Sequence, residues 1–497
     1  MTVAQIKSLI YQKTRNDPIL KPLLALVGDS LVYLFGAVLL GLGNFILIPL
    51  YTRYLSPAEF GIYSLIEISL LFFVMATQLG FGMSYLKYYS DVGHSQRGEV
   101  LGSVLAIGGG AALFCGSIFM LLVYSPLGSQ WLHTTERGFA WLLLPIIFLE
   151  NQQALLLADL RAQRKATIFS SATVIRLMLI VGASLWFIVV EQRGLTGVFL
   201  GRLTGDLTSV LFLSFFCLPS VKLKFSRSIA TSIIPYALPV VSGSLTAMLL
   251  DASGRFFLGS YGSLEEVGYY GAAIKIGSIF QILIVQPFGI AWGGLLFQIV
   301  KWPNARLIYS KILSYLFILS SSAALMIVFF TPTLFSIFAT SAYAPAMTVF
   351  PFILLVRATI IMEYPTSIGF YLTSRTKLFP LIYGSGLIIN IVANLLTVPL
   401  YGMFGAAWSW FAAWIFIIIL MAWYGNKHYP LYYDWKLIIF PPLAWGIFLS
   451  GKLYNVVNLI PWFLQGTLAF LIMLSVLLLI ASDYTTMRKN TLRAKER

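Results

Sequence analysis

The sequence predicts an all-α integral membrane protein with about 14 transmembrane helices, and three observations lead to this class. Hydrophobic residues make up 59% of the 497 residues, charged residues only 10%, and the mean hydropathy is +0.86; this balance excludes a soluble globule with a wet surface. Apolar runs of about 20 residues, each long enough to cross a hydrocarbon core of about 30 Å as a helix, follow one another with short connections. The alternating pattern of a membrane strand is absent, which favours helices.

The predicted helices follow the apolar runs in chain order. Residues 1–27 precede them as a cytoplasmic lead-in, without the isolated apolar core and cleavage site of a signal peptide. A basic cytoplasmic tail, residues 483–497, follows the last helix. We place the helices at about 28–52, 60–84, 99–125, 139–160, 166–190, 194–218, 229–252, 266–296, 307–331, 343–370, 378–398, 402–425, 436–455 and 460–482.

The distribution of lysine and arginine predicts the orientation of the chain. With the N-terminus inside, 24 of these residues in loops and tails fall on the cytoplasmic side and 5 on the outer side. Both termini are therefore expected in the cytoplasm, which requires an even number of spans. The net charge of +15 is explained by this topology and the anionic inner leaflet, so it does not indicate a nucleic-acid partner.

Two pairs of similar segments indicate an internal repeat. The segment "SPAEFGIY" at Ser56 is repeated as "SLEEVGYY" at Ser263, 207 residues later, and "GLTGVFLG" at Gly194 is echoed by "GMFGAAWS" at Gly402, 208 residues later. The first pair has the Ser-x-x-Glu of a capping box, which predicts two equivalent helix starts. An offset that spans six helices relates halves of the same orientation.

The repeat predicts two parallel six-helix bundles around a central cleft, in a 6+6+2 pattern. The N-lobe would comprise residues 28–218 and the C-lobe residues 219–425, with two added spans in residues 426–482. Substrate pathways in transporters built from such repeats lie between the halves.

Charged residues inside predicted spans are the candidate functional residues. Each costs roughly 2.5–3.5 kcal/mol at the centre of a membrane helix, so such residues are expected to be paired or to face a wet cavity. The candidate substrate-binding cations are Arg176, Arg202, Lys275 and Arg357 within spans, with Arg53 and Arg255 at the outer ends of spans one and seven. The candidate groups for proton or sodium coupling are Glu67, Glu150, Asp206, Asp251 and Glu363.

The sequence leaves several pairings of these charges open. Arg202 and Asp206 are four residues apart on one helical face, which favours a mutual ion pair. Arg176, Lys275 and Arg357 have no such local acid, so each either contacts an anionic substrate or pairs with an acid on another helix. Arg53 and Arg255 either extend to the interface or form a pair of cations at the outer mouth of the cleft. Arginine suits a phosphate or pyrophosphate because its planar fork donates two parallel hydrogen bonds.

The chain resembles a known family. The segments "PLYTRYLSPAEFGIYSL", "GFGMSYLKYYS" and "FFLGSYGSLEEVGYYGAA", with "GLTG" and "GMFG" before spans six and twelve, are similar to the polysaccharide transporters of the MATE-like MOP superfamily. Within that superfamily the chain looks most like the Wzx-type flippases for O-antigen or exopolysaccharide repeat units.

This resemblance implies a substrate, a mechanism and a location. The protein would move undecaprenyl-pyrophosphate-linked oligosaccharides to the outer leaflet of a bacterial inner membrane, by alternating access through a cationic cavity. Polysaccharide polymerase or assembly proteins would be its partners. The resemblance places the cavity cations only by location, because the family has no invariant signature to transfer onto individual residues.

Two transporters and an enzyme are the rival predictions. A lipid II flippase would share the pyrophosphate-bearing lipid, and a MATE-type drug antiporter would share the fold but need an acidic cavity for cationic drugs. An enzyme is not expected, because no phosphate-binding glycine loop, histidine-rich metal spacing or catalytic triad is present. We therefore predict no catalytic residue, metal or cofactor, and we expect Cys115 and Cys217 to be inert packing residues.

Overall fold

The computed structural model of the chain is all-helical in its regular elements. It describes residues 45–78, 85, 97–126, 128, 138–163, 165–218, 227–300, 304–373, 375–432, 441–442 and 445–446, and no strand occurs among them. The lead-in, the basic tail and predicted span 14 lie outside the described residues, as does span 13 apart from its four described positions.

The helices are numbered α1 to α15 in chain order. They are α1 (45–54), α2 (Pro57–Gln78), α3 (Arg97–Tyr124), α4 (Leu143–Ala162), α5 (Ala166–Leu185), α6 (Gly194–Cys217), α7 (Arg227–Tyr261), α8 (Leu264–Phe280), α9 (Gln286–Ile299), α10 (Ala305–Phe329), α11 (Thr331–Phe338), α12 (Ala346–Ile360), α13 (Glu363–Thr366), α14 (Ile368–Leu372) and α15 (Phe379–His428). Short π-helical segments extend α5 over Trp186–Val190 and join α8 to α9 over Gln281–Val285.

Within the described part of the chain, nine helical segments are long and apolar enough to cross a membrane. Many of their large apolar side chains are exposed, for example Phe114, Phe215 and Leu400. Such faces suit hydrocarbon rather than water. The expected all-α membrane class is therefore confirmed.

One of these spans is broken in its middle. The segment Ala346–Leu372 consists of α12, α13 and α14, with turns at residues 361–362 and 367. Pro365 lies in the short α13, where it cannot donate a backbone hydrogen bond. Two charged residues flank the first turn: Arg357 in the last turn of α12 and Glu363 at the start of α13. Broken membrane helices are tolerated where neighbouring groups satisfy the freed backbone.

The repeated motifs adopt matching backbone conformations. The Ser56 hydroxyl accepts a hydrogen bond from the Glu59 amide at 3.3 Å, and the Ser263 hydroxyl accepts one from the Glu266 amide at 3.2 Å. Gly194 and Gly402 both have a positive φ, 48° and 52°. Glycine adopts this conformation without the steric penalty that a side chain brings. Gly402 divides the 50-residue α15 into two helices, as the motif predicted.

Two compact units account for the contacts of the chain. The described residues of the first unit fall in Thr77–Met120 and Trp141–Ala237, and those of the second in Phe45–Ala76, Leu121–Ala140 and Leu238–Arg497. Residues 45–76, which the predicted N-lobe contains, thus pack with residues of the second unit. The two-lobe division of the transport cycle stays a prediction.

The two copies of the opening motif contact each other in the second unit. A Cβ added to Gly61 would lie 2.1 Å from the Leu264 carbonyl oxygen, and one added to Gly268 would lie 1.9 Å from that of Pro57. The offset of 207 relates Gly61 to Gly268 and Pro57 to Leu264, so the contact is reciprocal, as at a two-fold axis. Glycine is required there because α2 and α8 approach backbone to backbone.

Candidate functional site

The first group of buried charges is on α4, α5 and α6 in the first unit. Glycines on α6 allow it to approach α5 closely: a Cβ on Gly201 would lie 2.2 Å from the Ser184 hydroxyl, and one on Gly205 would lie 2.9 Å from the Arg176 carbonyl. This packing places Arg202 and Asp206, which flank Gly205 on α6, beside Arg176 on α5. We call Glu150, Arg176, Arg202 and Asp206 the Arg176 cluster.

Ion pairs across helices hold the Arg176 cluster together. Arg176 Nε lies 2.6 Å from Asp206 Oδ1, and Arg176 Nη2 lies 2.9 Å from Glu150 Oε1. Arg202 donates from Nε and Nη2 to the same Glu150 oxygen, both at 2.8 Å. Two cations thus face two acids, and the four formal charges sum to zero. The atom left without a hydrogen-bond partner is an acceptor, the buried Asp206 Oδ2.

The second group of buried charges is on α7, α12 and α15 in the second unit. The Trp410 indole donates its N–H to Asp251 Oδ1 at 2.9 Å, and its ring face receives the Arg357 guanidinium at 5.3 Å from the centroid. Trp410 therefore contacts an anion through its edge and a cation through its face. Arg255, one turn after Asp251 on α7, is 8% exposed. We call Asp251, Arg255, Arg357 and Trp410 the Trp410 cluster.

The Trp410 cluster has more cations than anions. Among the described residues Arg357 makes no ion pair, and its Nε is buried without a hydrogen-bond partner. Arg255 Nε is also buried without a partner, while its Nη1 lies 3.4 Å from the Ser64 hydroxyl on α2. Asp251 attracts both guanidinium groups and Glu67 also attracts that of Arg255, but neither arginine makes an ion pair among the described residues. A buried charge-bearing donor without an acceptor is unfavourable unless a ligand or water supplies one.

A further ion pair joins α2 and α8 next to this cluster. Lys275 Nζ lies 2.8 Å from Glu67 Oε1 and 3.0 Å from the Tyr63 hydroxyl. The Tyr63 hydroxyl donates to the same Glu67 oxygen at 2.7 Å, and the Lys275 ammonium lies 4.7 Å from the centre of the Tyr63 ring. The pair lies on the helices that meet at Gly61 and Gly268, so it fastens the contact between the two repeats.

The remaining predicted acid, Glu363, has a tyrosine partner. The Tyr383 hydroxyl on α15 donates to Glu363 Oε1. Glu363 therefore lies at the break after α12, one turn and a half beyond Arg357, and is held by a neutral donor. No group of three or more metal-ligating side chains is found among the described residues.

The structure places two of the predicted cations, Arg53 and Arg255, differently from the expectation. We expected Arg255 at the outer end of its span, but α7 continues to Tyr261 and buries Arg255 within the helix. The apolar run ends early because Asp251 and Arg255 lower its hydropathy, although both are covered by neighbouring helices. Arg53 is exposed and lies 202 residues before Arg255 rather than 207, so the two do not occupy equivalent positions in the repeat.

The structure also resolves the open pairings. Arg176 and Lys275 pair across helices, with Glu150 and Asp206 for the first and Glu67 for the second. Arg202 is paired with Glu150 on α4. Sequence reasoning missed the neutral partners of the buried charges, because nothing in the sequence separates them from aromatic and hydroxyl residues that merely pack. These partners are Tyr63, Ser64, Tyr383 and Trp410.

With this geometry in place, comparison with known proteins defines the class. The chain matches the family described as "Polysaccharide biosynthesis protein" over residues 27–300, more than half of its length. It belongs to this family, and the nine long apolar helices of its described part make it a multi-pass membrane protein. None of the curated proteins matches the sequence.

Solved structures of membrane transporters share the fold. The lipid II flippase MurJ in an inward closed conformation is similar with a TM-score of 0.72 at 14% identity, covering 92% of this chain and 100% of MurJ. A multidrug resistance MATE family transporter in an inward-facing conformation is similar with a TM-score of 0.58 at 17% identity, covering 78% of this chain and 93% of that transporter. At these identities the likeness establishes a shared fold and leaves the substrate open.

Proposed function

We propose that the protein translocates undecaprenyl-pyrophosphate-linked oligosaccharide repeat units from the inner to the outer leaflet of a bacterial inner membrane. Membership of the polysaccharide biosynthesis family and the flippase fold support a lipid-linked sugar as substrate. The product would be used for O-antigen or exopolysaccharide assembly, with a polymerase as the next partner.

The observation that carries this proposal is the excess of cationic donors in the Trp410 cluster. Arg255 and Arg357 each keep a buried Nε without an acceptor, and neither makes an ion pair among the described residues. A pyrophosphate offers several charged acceptor oxygens, which match unpaired guanidinium donors. Binding it would relieve the unsatisfied donors, so the affinity comes partly from removing a penalty that the empty protein already bears.

Transport is physically feasible because only the polar head of the lipid-linked oligosaccharide must be kept away from the hydrocarbon. The sugars and pyrophosphate cannot cross hydrocarbon unaided, whereas the apolar polyprenyl chain is soluble in the hydrocarbon core. The protein therefore needs to shield only the polar head. The glycine contact between α2 and α8, with the Glu67–Lys275 pair beside it, suits a seal that closes one side of the pathway and must part for release to the other.

The acids of the first unit suit a coupling role in this cycle. Asp206 Oδ2 is buried without a donor, so a proton bound there would satisfy it. We propose proton coupling through Asp206, tested by Asp206→Asn in proteoliposomes. A proton gradient is expected to accelerate transport by the wild type and not by the variant. Equal acceleration of both proteins would exclude Asp206 as the coupling group. The same test with a sodium gradient shows whether the coupling ion is a proton or sodium.

The rival transporters differ in the charge that they need. A drug antiporter for cations requires surplus acid at its binding site, and the Trp410 cluster has surplus arginine. A lipid II flippase would use the same pyrophosphate chemistry. The residues of the Trp410 cluster therefore do not distinguish the proposed oligosaccharide lipid from lipid II, and a transport assay is needed to do so.

The test is transport by purified protein in proteoliposomes. Translocation of an undecaprenyl-pyrophosphate-linked oligosaccharide is measured beside that of lipid II and the efflux of ethidium. We expect the wild type to move the oligosaccharide lipid and Arg357→Ala to slow it by about tenfold or more. Arg193→Ala, which removes an exposed arginine paired with Glu191, is the matched control and should be unchanged. Ethidium efflux without lipid transport would overturn the proposal.

A further inference from the structure

The two copies of the opening motif differ in one side chain. In the first copy the Glu59 carboxylate closes its capping box, accepting from the Ser56 amide at 2.7 Å and the Ser56 hydroxyl at 2.8 Å. In the second copy Ser263 still accepts from the Glu266 amide, but among the described residues the Glu266 carboxylate makes no hydrogen bond or ion pair. The same motif thus uses its glutamate to close a helix start in one half and leaves it unpartnered in the other.

The Glu266 carboxylate instead lines a cavity of about 730 Å³. Two glycines make room beside it: a Cβ on Gly262 would lie 2.4 Å from one carboxylate oxygen, and a Cβ on Gly402 would lie 2.8 Å from the other. The cavity forms where the second copies of both repeated motifs meet, at the start of α8 and at the turn within α15. The predicted topology puts both of these junctions on the outer side of the membrane.

Two tyrosines add aromatic rings and hydroxyl groups to the cavity lining. Tyr261 and Tyr401 line the cavity and are 54% and 64% exposed. The Tyr261 ring is stacked on that of Phe257, with 6.3 Å between centroids and 6° between planes, which fixes its orientation. A tyrosine belt at the membrane interface would account for exposed tyrosines. Such a belt does not explain why the Glu266 carboxylate has no partner, nor why it leaves its capping box open where Glu59 closes its own.

We propose that Tyr261, Glu266 and Tyr401 bind a sugar unit of the oligosaccharide at the outer side of the protein. A carboxylate without a partner accepts hydrogen bonds from neighbouring sugar hydroxyls, and hydrogen bonds to a charged acceptor are the strong ones. The tyrosine rings offer apolar faces to the C–H side of a sugar ring and hydroxyls to its edge. This inference rests on the proposed function and adds a second contact, to the sugar rather than to the pyrophosphate.

The repeat supplies matched controls for the test. The offset of 207 pairs Tyr54 with Tyr261 and Glu59 with Glu266, so Tyr54→Ala and Glu59→Gln make the same chemical changes in the first copy. Binding of lactose, maltotriose and chitotriose, which lack lipid and pyrophosphate, is measured by saturation-transfer NMR on the full chain in nanodiscs. We expect saturable binding of at least one sugar, with Kd about tenfold weaker in Glu266→Gln. Tyr401→Ala should weaken the same sugar, while both controls stay within about twofold.

Besides normal sugar binding by Glu266→Gln, three results would overturn the inference. They are no saturable binding by the wild type, equal weakening by the first-copy controls, and a response to ethanolamine alone, which would assign the cavity to an ammonium headgroup. The two proposals fail separately. If the wild type translocates the oligosaccharide lipid but Glu266→Gln binds sugar normally, only the cavity assignment falls. If free sugar binds through Glu266 but the lipid-linked oligosaccharide is not moved, only the proposed transport function falls.

Discussion

The Arg176 cluster and the Trp410 cluster contain the same kinds of side chains but leave opposite groups unpaired. In the first, two arginines and two acids close ion pairs of 2.6–2.9 Å, and the orphan atom is an acceptor, Asp206 Oδ2. In the second, neither arginine makes an ion pair among the described residues, and the orphan atoms are guanidinium donors. A buried arginine alone therefore does not indicate a binding site. What remains unsatisfied after internal pairing indicates the charge of the missing ligand.

The largest expected effect is the loss of one acid from the balanced cluster. Glu150→Ala would leave Arg176 and Arg202 without their shared acceptor, which should cost about 3–5 kcal/mol in free energy of unfolding. The measurement is thermal and denaturant unfolding of the purified protein in detergent. Glu191→Ala removes an acid from the exposed pair with Arg193 and is expected to cost about 0–1 kcal/mol. Similar losses from both variants would show that the Arg176 cluster has no special structural role.

The next effect concerns the contact between the repeats. Gly268→Val would drive a side chain into the Pro57 carbonyl, so α2 and α8 would have to separate. We expect transport to fall by about tenfold or more, because a side chain in a close helix contact forces backbone shifts. Gly384→Val on α15, where no atom lies within 4 Å of an added Cβ, is the control. Transport at the wild-type rate in Gly268→Val would show that the glycine contact between α2 and α8 is not a seal.

A smaller effect is expected from the residue that links anion and cation in the Trp410 cluster. Trp410→Phe keeps a ring face for Arg357 but loses the N–H donated to Asp251. Loss of one hydrogen bond to a charged acceptor is worth roughly 1.5–3 kcal/mol, part of which rearrangement of the site recovers. We expect transport to slow by several-fold with protein levels unchanged. Trp408→Phe, on the exposed face of the same helix, should leave the rate unaltered.

The sequence predicted the helical class and the repeat because both depend on local patterns. Apolar runs report spans, and the glycines at 194 and 402 keep the positive φ that their motifs require. The partners of buried charges were not predictable in the same way. Arg202 and Asp206 share one helical face, yet Arg176 pairs with Asp206 and Arg202 with Glu150, because the approach of α6 to α5 sets those distances.

The end of α7 and the open capping box at Glu266 were missed for related reasons. Hydropathy falls at a charged residue whether water or protein covers it, so the run ended before Arg255 while the helix continued to Tyr261. A capping-box pattern predicts a helix start, and both starts are present. It does not tell whether the glutamate closes the box, which in the second copy depends on the space left by Gly262 and Gly402.

We propose that pyrophosphate binds at the Trp410 cluster and not at the Arg176 cluster. The direct measurement is the affinity of the purified protein for farnesyl pyrophosphate, compared between two variants. Arg357→Ala removes one unpaired donor, and Glu150→Gln with Arg202→Met removes one cation and one acid from the balanced cluster. We expect about tenfold weaker binding in the first variant and a Kd within about twofold of the wild type in the second. The reverse order would contradict it.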